Sequence, residues 1–439
     1  RLGLAIVQAA VTDRIVWGWP RWGVNAPPRW PARFGGAKRM KANTEFDVAI
    51  IGGGPAGATA AHDLARAGVR VLMIDRQGRI KPCGGAVPPR LIRDFAIPDS
   101  QIVARVNAAR IIAPSEHYVD MHIGGGYVGM VDRVHFDEFL RNRAEESGAT
   151  RISAKFDHIE FEPDGSPVVH AVGTGTDAAI GAVKFRVATV IGADGAKSKV
   201  ARQCVPGADE IPYVSAYHEI IEAPKNDHPT YLNTRCDVIY DGSLSPDFYA
   251  WVFPHGDSAS IGVGTAHRGV SMRGAIAKLR AHNGLSNNKT IRTEGAPIPL
   301  RPMKRWDNGR NVLLAGDAAG VVAPASGEGI YYAMLGGRLA GEAMLEMLEN
   351  DQPAKLKLAR KRFMKDHGQV FFALGMMQKF WYANDNRRER FVRICHDRDV
   401  QRLTWDSYMN KELVRANPLV NARIFMKNIA HLSGLAAVS

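Results

Sequence analysis

The stretch Phe46-Asp47-Val48-Ala49-Ile50-Ile51-Gly52-Gly53-Gly54-Pro55-Ala56-Gly57 decides the fold of this chain. The apolar run predicts a buried strand, Gly52-x-Gly54-x-x-Gly57 predicts a tight turn, and the small residues of 58–67 predict a helix. A turn without side chains lets the backbone approach a pyrophosphate, and the free N–H groups of the helix N-terminus then face the charge. The stretch therefore predicts a dinucleotide site.

The next apolar run supports this interpretation over that of an ordinary turn. Arg70-Val71-Leu72-Met73-Ile74-Asp75 ends in an acid 23 residues after Gly52, where a ribose hydroxyl needs an acceptor. A second glycine triple, Gly124-x-Gly126-x-x-Gly129, has the same spacing, but a short polar segment precedes it and no small-residue helix follows. We therefore interpret the second triple as a loop.

Composition indicates a globular protein of several packed units. A chain of 439 residues with 46% hydrophobic content buries a substantial core, which suggests two or three units. The four cysteines lie far apart without any C-x-x-C spacing, so neither a zinc site nor a disulfide framework is indicated. We expect no bound metal and a reducing compartment.

The net charge of +13 is concentrated at the two ends of the chain. Residues 1–40 hold +6 and residues 351–439 hold +9, which leaves −2 for residues 41–350. A nucleic-acid binder would need a basic stripe with base-reading groups, so this distribution favours an anionic membrane surface instead. No uncharged run approaches the roughly 20 apolar residues that span a bilayer. We expect a cytoplasmic protein that associates peripherally with the membrane.

The first 39 residues are excluded from the fold prediction. They are rich in Trp, Pro and Arg and precede Met40, which stands six residues before the first strand. We expect them to be an N-terminal extension, either disordered or upstream of the natural start.

Two later strands also end in glycine and aspartate. They run into Gly192-Ala193-Asp194-Gly195 and into Ala315-Gly316-Asp317, and strand ends are where α/β sheets place ligand contacts. A helix predicted for 328–349 starts at Ser326-Gly327-Glu328-Gly329 and offers free N–H groups to an anion or a polarised ring oxygen. Arg133, at the entrance of a helix predicted for 136–147, either contacts a cofactor or pairs with a carboxylate.

Short strands within 211–300 predict an antiparallel sheet that roofs a pocket. Strand alternation puts Tyr249, Trp251 and Phe253 on one face, which is either an apolar substrate wall or ordinary core. Cys83 lies in a loop rich in Gly and Pro, where a thiol is either a weak acid that shapes the site or a small buried hydrophobe. From 355 onward the pattern is helical, amphipathic and basic.

The three strand-end sites, in this order, resemble the FAD-binding arrangement of flavoproteins of the para-hydroxybenzoate hydroxylase type. Within that superfamily the chain resembles the geranylgeranyl reductases from about residue 45 to about 420. The motifs that carry this resemblance are Lys81-Pro82-Cys83-Gly84-Gly85-Ala86-Val87-Pro88-Pro89, Arg235-Cys236-Asp237-Val238-Ile239-Tyr240-Asp241-Gly242, Tyr249-x-Trp251-x-Phe253-Pro254 and Ala315-Gly316-Asp317-Ala318-Ala319-Gly320. The segment 397–408 resembles the photosynthetic branch of the family.

The resemblance implies a mixed α/β fold with three parts: a discontinuous Rossmann-like FAD-binding domain (40–125, 126–205 and 301–350), an antiparallel-sheet substrate domain (206–300) and a helical basic C-terminal region (351–439). It implies NADPH as a co-substrate that docks transiently near the flavin. The prenyl chain would lie against Tyr249, Trp251, Phe253 and Pro254. The residues implied for FAD are Gly52, Gly54, Gly57, Asp75, Arg133, Asp194, Gly316, Asp317, Gly327 and Gly329.

The activity implied is reduction of a geranylgeranyl chain to phytyl by stepwise saturation of three double bonds, with Cys83 as the catalytic candidate. The chain would be a free diphosphate or esterified to bacteriochlorophyll. Contact with the bacteriochlorophyll synthase and a place at the inner photosynthetic membrane are also implied. Three alternatives stay open: a flavin monooxygenase of the same fold, an archaeal-type lipid prenyl reductase, and a non-enzymatic prenyl-lipid carrier.

Overall fold

The computed structural model describes residues 45–78, 83–225 and 228–411. The predicted N-terminal extension and the chain beyond 411 lie outside the described residues, as do Lys81 and Pro82 of the loop that contains Cys83. The strands are β1 (Phe46–Ile51), β2 (Val71–Asp75), β3 (Ala86–Val87), β4 (Ala104–Val106), β5 (Ala108–Ile112), β6 (Tyr118–His122), β7 (Val128–Met130), β8 (Thr150–Phe161), β9 (Pro167–Gly173), β10 (Ala182–Gly192), β11 (Tyr213–Glu222), β12 (Arg235–Ile239), β13 (Ala250–His255), β14 (Ser258–Thr265), β15 (Thr290–Pro299) and β16 (Val312–Leu314).

The α-helices are α1 (Pro55–Arg66), α2 (Pro89–Asp94), α3 (Arg133–Glu146), α4 (Lys199–Cys204), α5 (Met272–His282), α6 (Ile330–Asn350), α7 (Lys357–Trp381), α8 (Asp385–Ile394) and α9 (Arg398–Asn410).

The first sheet is parallel at its centre. β1 pairs in parallel with β2 on one side and with β10 on the other, β8 extends the sheet beyond β2, and β16 extends it beyond β10. β9 pairs antiparallel with both β8 and β10. Because the strand order reverses at β1, its carboxyl end opens a crevice of the kind in which α/β sheets bind ligands.

The turn after β1 depends on close backbone packing. Gly52 has φ +105°, and a Cβ built on it would lie 2.3 Å from the carbonyl oxygen of Ala193. A Cβ on Gly57 would lie 1.8 Å from the oxygen of Gly52, so any side chain there would force α1 away from β1. The predicted strand, turn and helix are confirmed. α6 packs equally closely on α1, since a Cβ on Gly337 would lie 2.1 Å from the oxygen of Ala56.

The second sheet has seven strands in the order β15-β11-β14-β13-β12-β5-β6. All neighbours are antiparallel except β12 and β5. The predicted antiparallel second layer is thus confirmed, but its membership differs from the prediction, which placed residues 108–122 with the nucleotide-binding part. The parallel pairing of β5 with β12 joins segments more than a hundred residues apart, and no local pattern signals such a pairing.

Besides the two large sheets, the structure has a small third sheet and a helical C-terminal region. β3, β7 and β4 form a small sheet, in which Gly129 of the second glycine triple lies in β7, while Gly124 and Gly126 lie in the predicted loop. The predicted helical region is confirmed over α7, α8 and α9. In this region, Tyr382 and Phe391 pack against aromatic residues of the second sheet, so these two rings belong to the core. Within the described residues, the structure shows no helix with the length and apolarity needed to cross a membrane.

Candidate active site

A cavity of about 360 Å³ is lined by residues of both large sheets. Its volume falls in the range of about 300–1,000 Å³ that is typical of small-molecule sites. One end is formed by the turns after β1 and β16, and the other by aromatic side chains of β13 and its neighbours. The cavity therefore joins the predicted nucleotide site to the predicted substrate wall.

The nucleotide end has the shape and charge that a dinucleotide requires. A Cβ built on Gly54 meets nothing within 4 Å, so the backbone there is open to the cavity. Gly54 and Gly329, which precede α1 and α6, leave these helices without a side-chain cap and without an acid in the first turn. Both helix N-termini reach the cavity, and their free N–H groups suit a pyrophosphate or a polarised ring oxygen.

Most of the predicted cofactor residues line this cavity, but two glycines do not. Gly57 and Gly316 are packing residues: Gly57 lies against the turn, and Gly316, with φ +61°, would place a Cβ 2.7 Å from the Cβ of Ala56. Their contribution is to the close packing of the turn rather than to the lining. The predicted residues that line the cavity are Gly52, Gly54, Asp75, Arg133, Asp194, Asp317, Gly327 and Gly329.

Asp75 is held by an arginine that the sequence prediction missed. Arg141 Nη1 donates to Asp75 Oδ2 at 3.2 Å and lies 3.4 Å from the carbonyl oxygen of Gly53. The side chain of Arg141 is buried. Arg141 thus fixes the carboxylate at the end of β2 relative to the glycine turn. Its position in the middle of α3 gave no sequence signal.

The Asp194 carboxylate accepts hydrogen bonds from neighbouring residues of its own chain. The backbone N–H of Lys199 donates to Asp194 Oδ2 at 2.7 Å, and Ser198 Oγ donates to Oδ1. Burial raises the pKa of the Asp194 carboxyl, while these hydrogen bonds oppose the rise. The carboxylate therefore anchors the entrance of α4, and Asp194 reaches the cavity mainly as part of the turn after β10. Asp317, which is also buried, lines the cavity next to Gly329.

Arg133 pairs with a carboxylate, one of its two predicted alternatives, and still lines the cavity. Its guanidinium donates to both oxygens of Asp137, each at 2.7 Å, and both side chains are buried. Burial disfavours the charge, but the pairing with Asp137 outweighs burial and raises the pKa of Arg133 above its ordinary value. The Cys83 side chain lies close enough to interact electrostatically with this guanidinium.

Cys83 lies at the edge of the cavity in a loop that is packed against β13. A Cβ on Gly84 would lie 3.0 Å from the ring of Phe253, and one on Gly85 would lie 2.5 Å from Nε2 of His255. The backbone N–H of Gly85 donates to the Cys83 sulfur at 3.4 Å. The glycines of this loop therefore serve its close approach to the aromatic strand.

Three of the four predicted substrate residues line the cavity. The Tyr249 hydroxyl donates to the carbonyl oxygen of Ser326, and Trp251 Nε1 donates to Ser260 Oγ at 3.0 Å. Phe253 lies beside Trp251, with ring centroids 6.2 Å apart. Pro254 is a correction to the prediction: it is buried in β13 and does not line the cavity, because alternation along the strand turns it to the other face.

The far wall comes from α9, which the sequence prediction did not place at the site. Thr404, Trp405 and Tyr408 line the cavity. At the end of α9, the buried Lys411 pairs with Glu328, which also lines the cavity. The resemblance of segment 397–408 to one family branch was the only sequence signal near this wall.

The site is that of an FAD-dependent oxidoreductase. It combines a glycine turn on a parallel sheet, two helix N-termini without side-chain caps, and an aromatic wall. A family profile for pyridine nucleotide-disulphide oxidoreductases matches residues 46–133. A geranylgeranyl diphosphate reductase of Rhodobacter capsulatus is 56% identical over 392 residues, which are 89% of this chain and 98% of that protein. The chain belongs to the geranylgeranyl diphosphate reductase family, so the resemblance found in the sequence is confirmed.

Other relatives are more distant. A geranylgeranyl diphosphate reductase of a Synechocystis species is 37% identical over 88% of this chain and 97% of that protein. A crystal structure of a geranylgeranyl bacteriochlorophyll reductase-like protein of Thermoplasma acidophilum aligns with a TM-score of 0.72 and 22% identity, over 88% of this chain and 96% of that chain. This structural likeness confirms the predicted mixed α/β fold.

Proposed function

We propose that this protein reduces the isolated double bonds of a geranylgeranyl chain to give phytyl, with FAD as cofactor and NADPH as reductant. The observation that carries the proposal is the single cavity that joins the glycine turns to the aromatic wall of the second sheet. The names of the similar proteins support the same substrate class.

The substrate wall holds the alkene and excludes water. An isolated alkene attracts a hydride poorly, so it must be held at a near-attack distance of about 3–3.5 Å. The hydrogen bonds of Tyr249 to Ser326 and of Trp251 to Ser260 satisfy the polar atoms of both rings within the protein. Their faces can then offer apolar surface to a prenyl chain that slides between successive reductions. FAD, when bound, supplies the two-electron chemistry at this site.

Cys83 stays our predicted catalytic candidate, with Arg133 as its neighbour. The pathway is proposed to be bacteriochlorophyll biosynthesis, with the chain reduced either as the free diphosphate or after esterification, and with contact to the bacteriochlorophyll synthase. This part of the proposal rests on the family and on segment 397–408, since α9 forms part of the cavity wall.

An anaerobic assay tests the activity. The purified protein would be mixed with NADPH and either geranylgeranyl diphosphate or geranylgeranyl bacteriochlorophyll, and the prenyl products would be followed by mass spectrometry. We expect stepwise gains of two hydrogens, up to three times. Peroxide or a hydroxylated product in air without prenyl reduction would show a monooxygenase, and purified protein without flavin absorbance would show a carrier. Preferential reduction of an archaeal-type lipid would identify the lipid branch.

We also propose that the exposed face of α7 rests on an anionic bilayer. Phe372, Met376 and Met377 are 60%, 43% and 38% exposed and lie on neighbouring turns of α7. The exposed Lys361 and Lys379 lie on the same helix, and residues 351–439 carry an excess of positive charge. The inner side of α7 packs against the aromatic cluster that contains Tyr249 and Trp251, so a prenyl chain leaving the bilayer here would be close to the cavity.

Vesicle sedimentation tests this face. The double variant F372S/M376S should bind vesicles containing phosphatidylglycerol about tenfold or more weakly than the unchanged protein, since each side chain contributes on the order of 1.5–3 kcal/mol when buried. The control F161S replaces an exposed phenylalanine on β8. This variant should bind the vesicles as the unchanged protein does. Equal binding by the double variant, or no preference for anionic over uncharged vesicles, would refute this face as the docking site.

A further inference from the structure

A buried ion pair lies where α6 and α9 meet the cavity. Glu328, which lines the cavity two residues before α6, pairs with Lys411 at the end of α9. The side chains are only 7% and 2% exposed, respectively. Lys411 Nζ also lies 3.7 Å from the ring centroid of Tyr408, another cavity residue. Two charges have thus been removed from water beside the predicted substrate site.

The pair leaves one carboxyl oxygen unsatisfied. Glu328 Oε2 contacts Lys411, whereas Oε1 is buried and has no hydrogen-bond partner among the residues that the structure describes. Burial raises the pKa of Glu328, and burial lowers the pKa of Lys411. The raised pKa of Glu328 favours a proton on the carboxyl group, because the neutral acid is less costly to bury than the carboxylate.

Several other acidic groups along the cavity already have a fixed partner. Arg141 holds Asp75, Arg133 holds both oxygens of Asp137, and backbone and side-chain donors of α4 hold Asp194. The Tyr249 hydroxyl donates to the carbonyl oxygen of Ser326. Compared with these groups, Glu328 combines a place in the lining with an unsatisfied carboxyl oxygen.

We infer that Glu328 is the general acid that protonates the prenyl double bond, an inference that rests on the function proposed above. Bound, reduced FAD would supply one proton and two electrons, formally a hydride, to one carbon of the alkene and would itself be oxidised. The other carbon of the alkene takes a proton as the O–H bond of Glu328 breaks. The product is the saturated carbon pair, and Glu328 is left as a carboxylate. A proton from solvent then restores the acid.

Lys411 is a positioning residue in this scheme. Its ammonium stabilises the carboxylate that remains after proton transfer, which limits how far burial raises the pKa of Glu328. The other groups that interact electrostatically with this pair lie on several packed elements. They are Tyr249, Tyr332 and Tyr408 around Glu328, and Arg90 and His367 around Lys411.

Separate half-reactions test the inference. In E328Q, NADPH should bleach the flavin at the normal rate, while anaerobic reoxidation by geranylgeranyl diphosphate should slow by about 100-fold or more, the usual contribution of a general acid. The control E342Q changes another glutamate with a raised pKa, which lies within α6 and outside the cavity lining. It should leave both half-reactions unchanged. Infrared difference spectra should show a protonated carboxyl band that E328Q loses.

A second variant keeps the inference testable if E328Q fails to hold flavin. The positive charge of Lys411 lowers the pKa of Glu328, so K411M should raise that pKa further. The acid form of Glu328 then persists to higher pH. The high-pH limb, where the rate of flavin reoxidation falls as the pH rises, should therefore move to higher pH. An unchanged or lowered limb would overturn the assignment, as would reoxidation of E328Q within threefold of the normal rate. If the unchanged protein is not reoxidised by any prenyl substrate, the proposed function itself fails.

Discussion

At the scale of single residues, the Arg133–Asp137 pair shows how burial decides the value of an interaction. A second arginine–aspartate pair, Arg110–Asp120, has nearly the same geometry, with distances of 2.7 and 2.8 Å, but its side chains are 20% and 31% exposed. Exposed pairs contribute roughly 0–1 kcal/mol, whereas breaking a buried pair leaves an uncompensated charge in the interior.

We therefore expect D137N to lower the free energy of unfolding by about 3 kcal/mol or more, because Arg133 would keep its charge without an equal partner. Its flavin content should also fall, since Arg133 lines the cavity. The matched control D120N should lower the free energy of unfolding by about 1 kcal/mol or less. Urea denaturation followed by flavin fluorescence measures both, and equal losses in the two variants would contradict the assigned role of burial.

The same residues show what the sequence could predict. The glycine turn and Asp75 follow from local spacing, because a strand, a tight turn and a helix must succeed one another along the chain. Arg141, by contrast, reaches the turn from a helix almost ninety residues away. Whether Arg141 faces solvent or the protein interior depends on how α3 packs. The spacing of residues along the chain does not encode that packing.

At the scale of elements, β14 supports the substrate wall because it has a glycine, without a side chain, beneath Trp251. A Cβ on Gly262 would lie 2.1 Å from Cζ2 of Trp251, so the indole rests on bare backbone. The sequence predicted the face shared by Tyr249, Trp251 and Phe253 from strand alternation. It could not predict the glycine beneath the indole or the arrival of α9 opposite, because both depend on pairing and packing between distant segments.

The variant G262A should push the indole of Trp251 toward the cavity. We expect a loss of stability of about 1–3 kcal/mol from overpacking and a fall in kcat/KM for the prenyl substrate of on the order of 100-fold, the usual effect of displacing a binding wall by about 1 Å. The control G295A lies on β15, where a Cβ meets nothing closer than 3.3 Å. Steady-state kinetics and tryptophan fluorescence would show the difference, and a G262A enzyme with unchanged spectrum and kinetics would refute the prediction.

At the scale of the whole molecule, three histidines make stability depend on pH. Burial is the main cause that lowers the pKa of His62, His255 and His367 to about 4. Their unfolded pKa is about 6.5, so between pH 6.5 and 4 the unfolded chain binds protons that the folded protein rejects. The contribution of these histidines to the free energy of unfolding is therefore fully present above pH 6.5. It declines as the pH falls through this interval.

His367 offers the clearest test, because its Nδ1 is buried without a hydrogen-bond partner among the described residues and its ring packs among Tyr331, Tyr332 and Phe363. In H367F the loss of unfolding free energy between pH 6.5 and 4 should shrink by up to about 3 kcal/mol, since one unit of pKa difference corresponds to about 1.4 kcal/mol. The exposed His135 provides the control H135Q, which should keep the full pH dependence. Urea midpoints at several pH values measure both, and an H367F protein as acid-sensitive as the unchanged protein would show that the imidazole is solvated in the folded state.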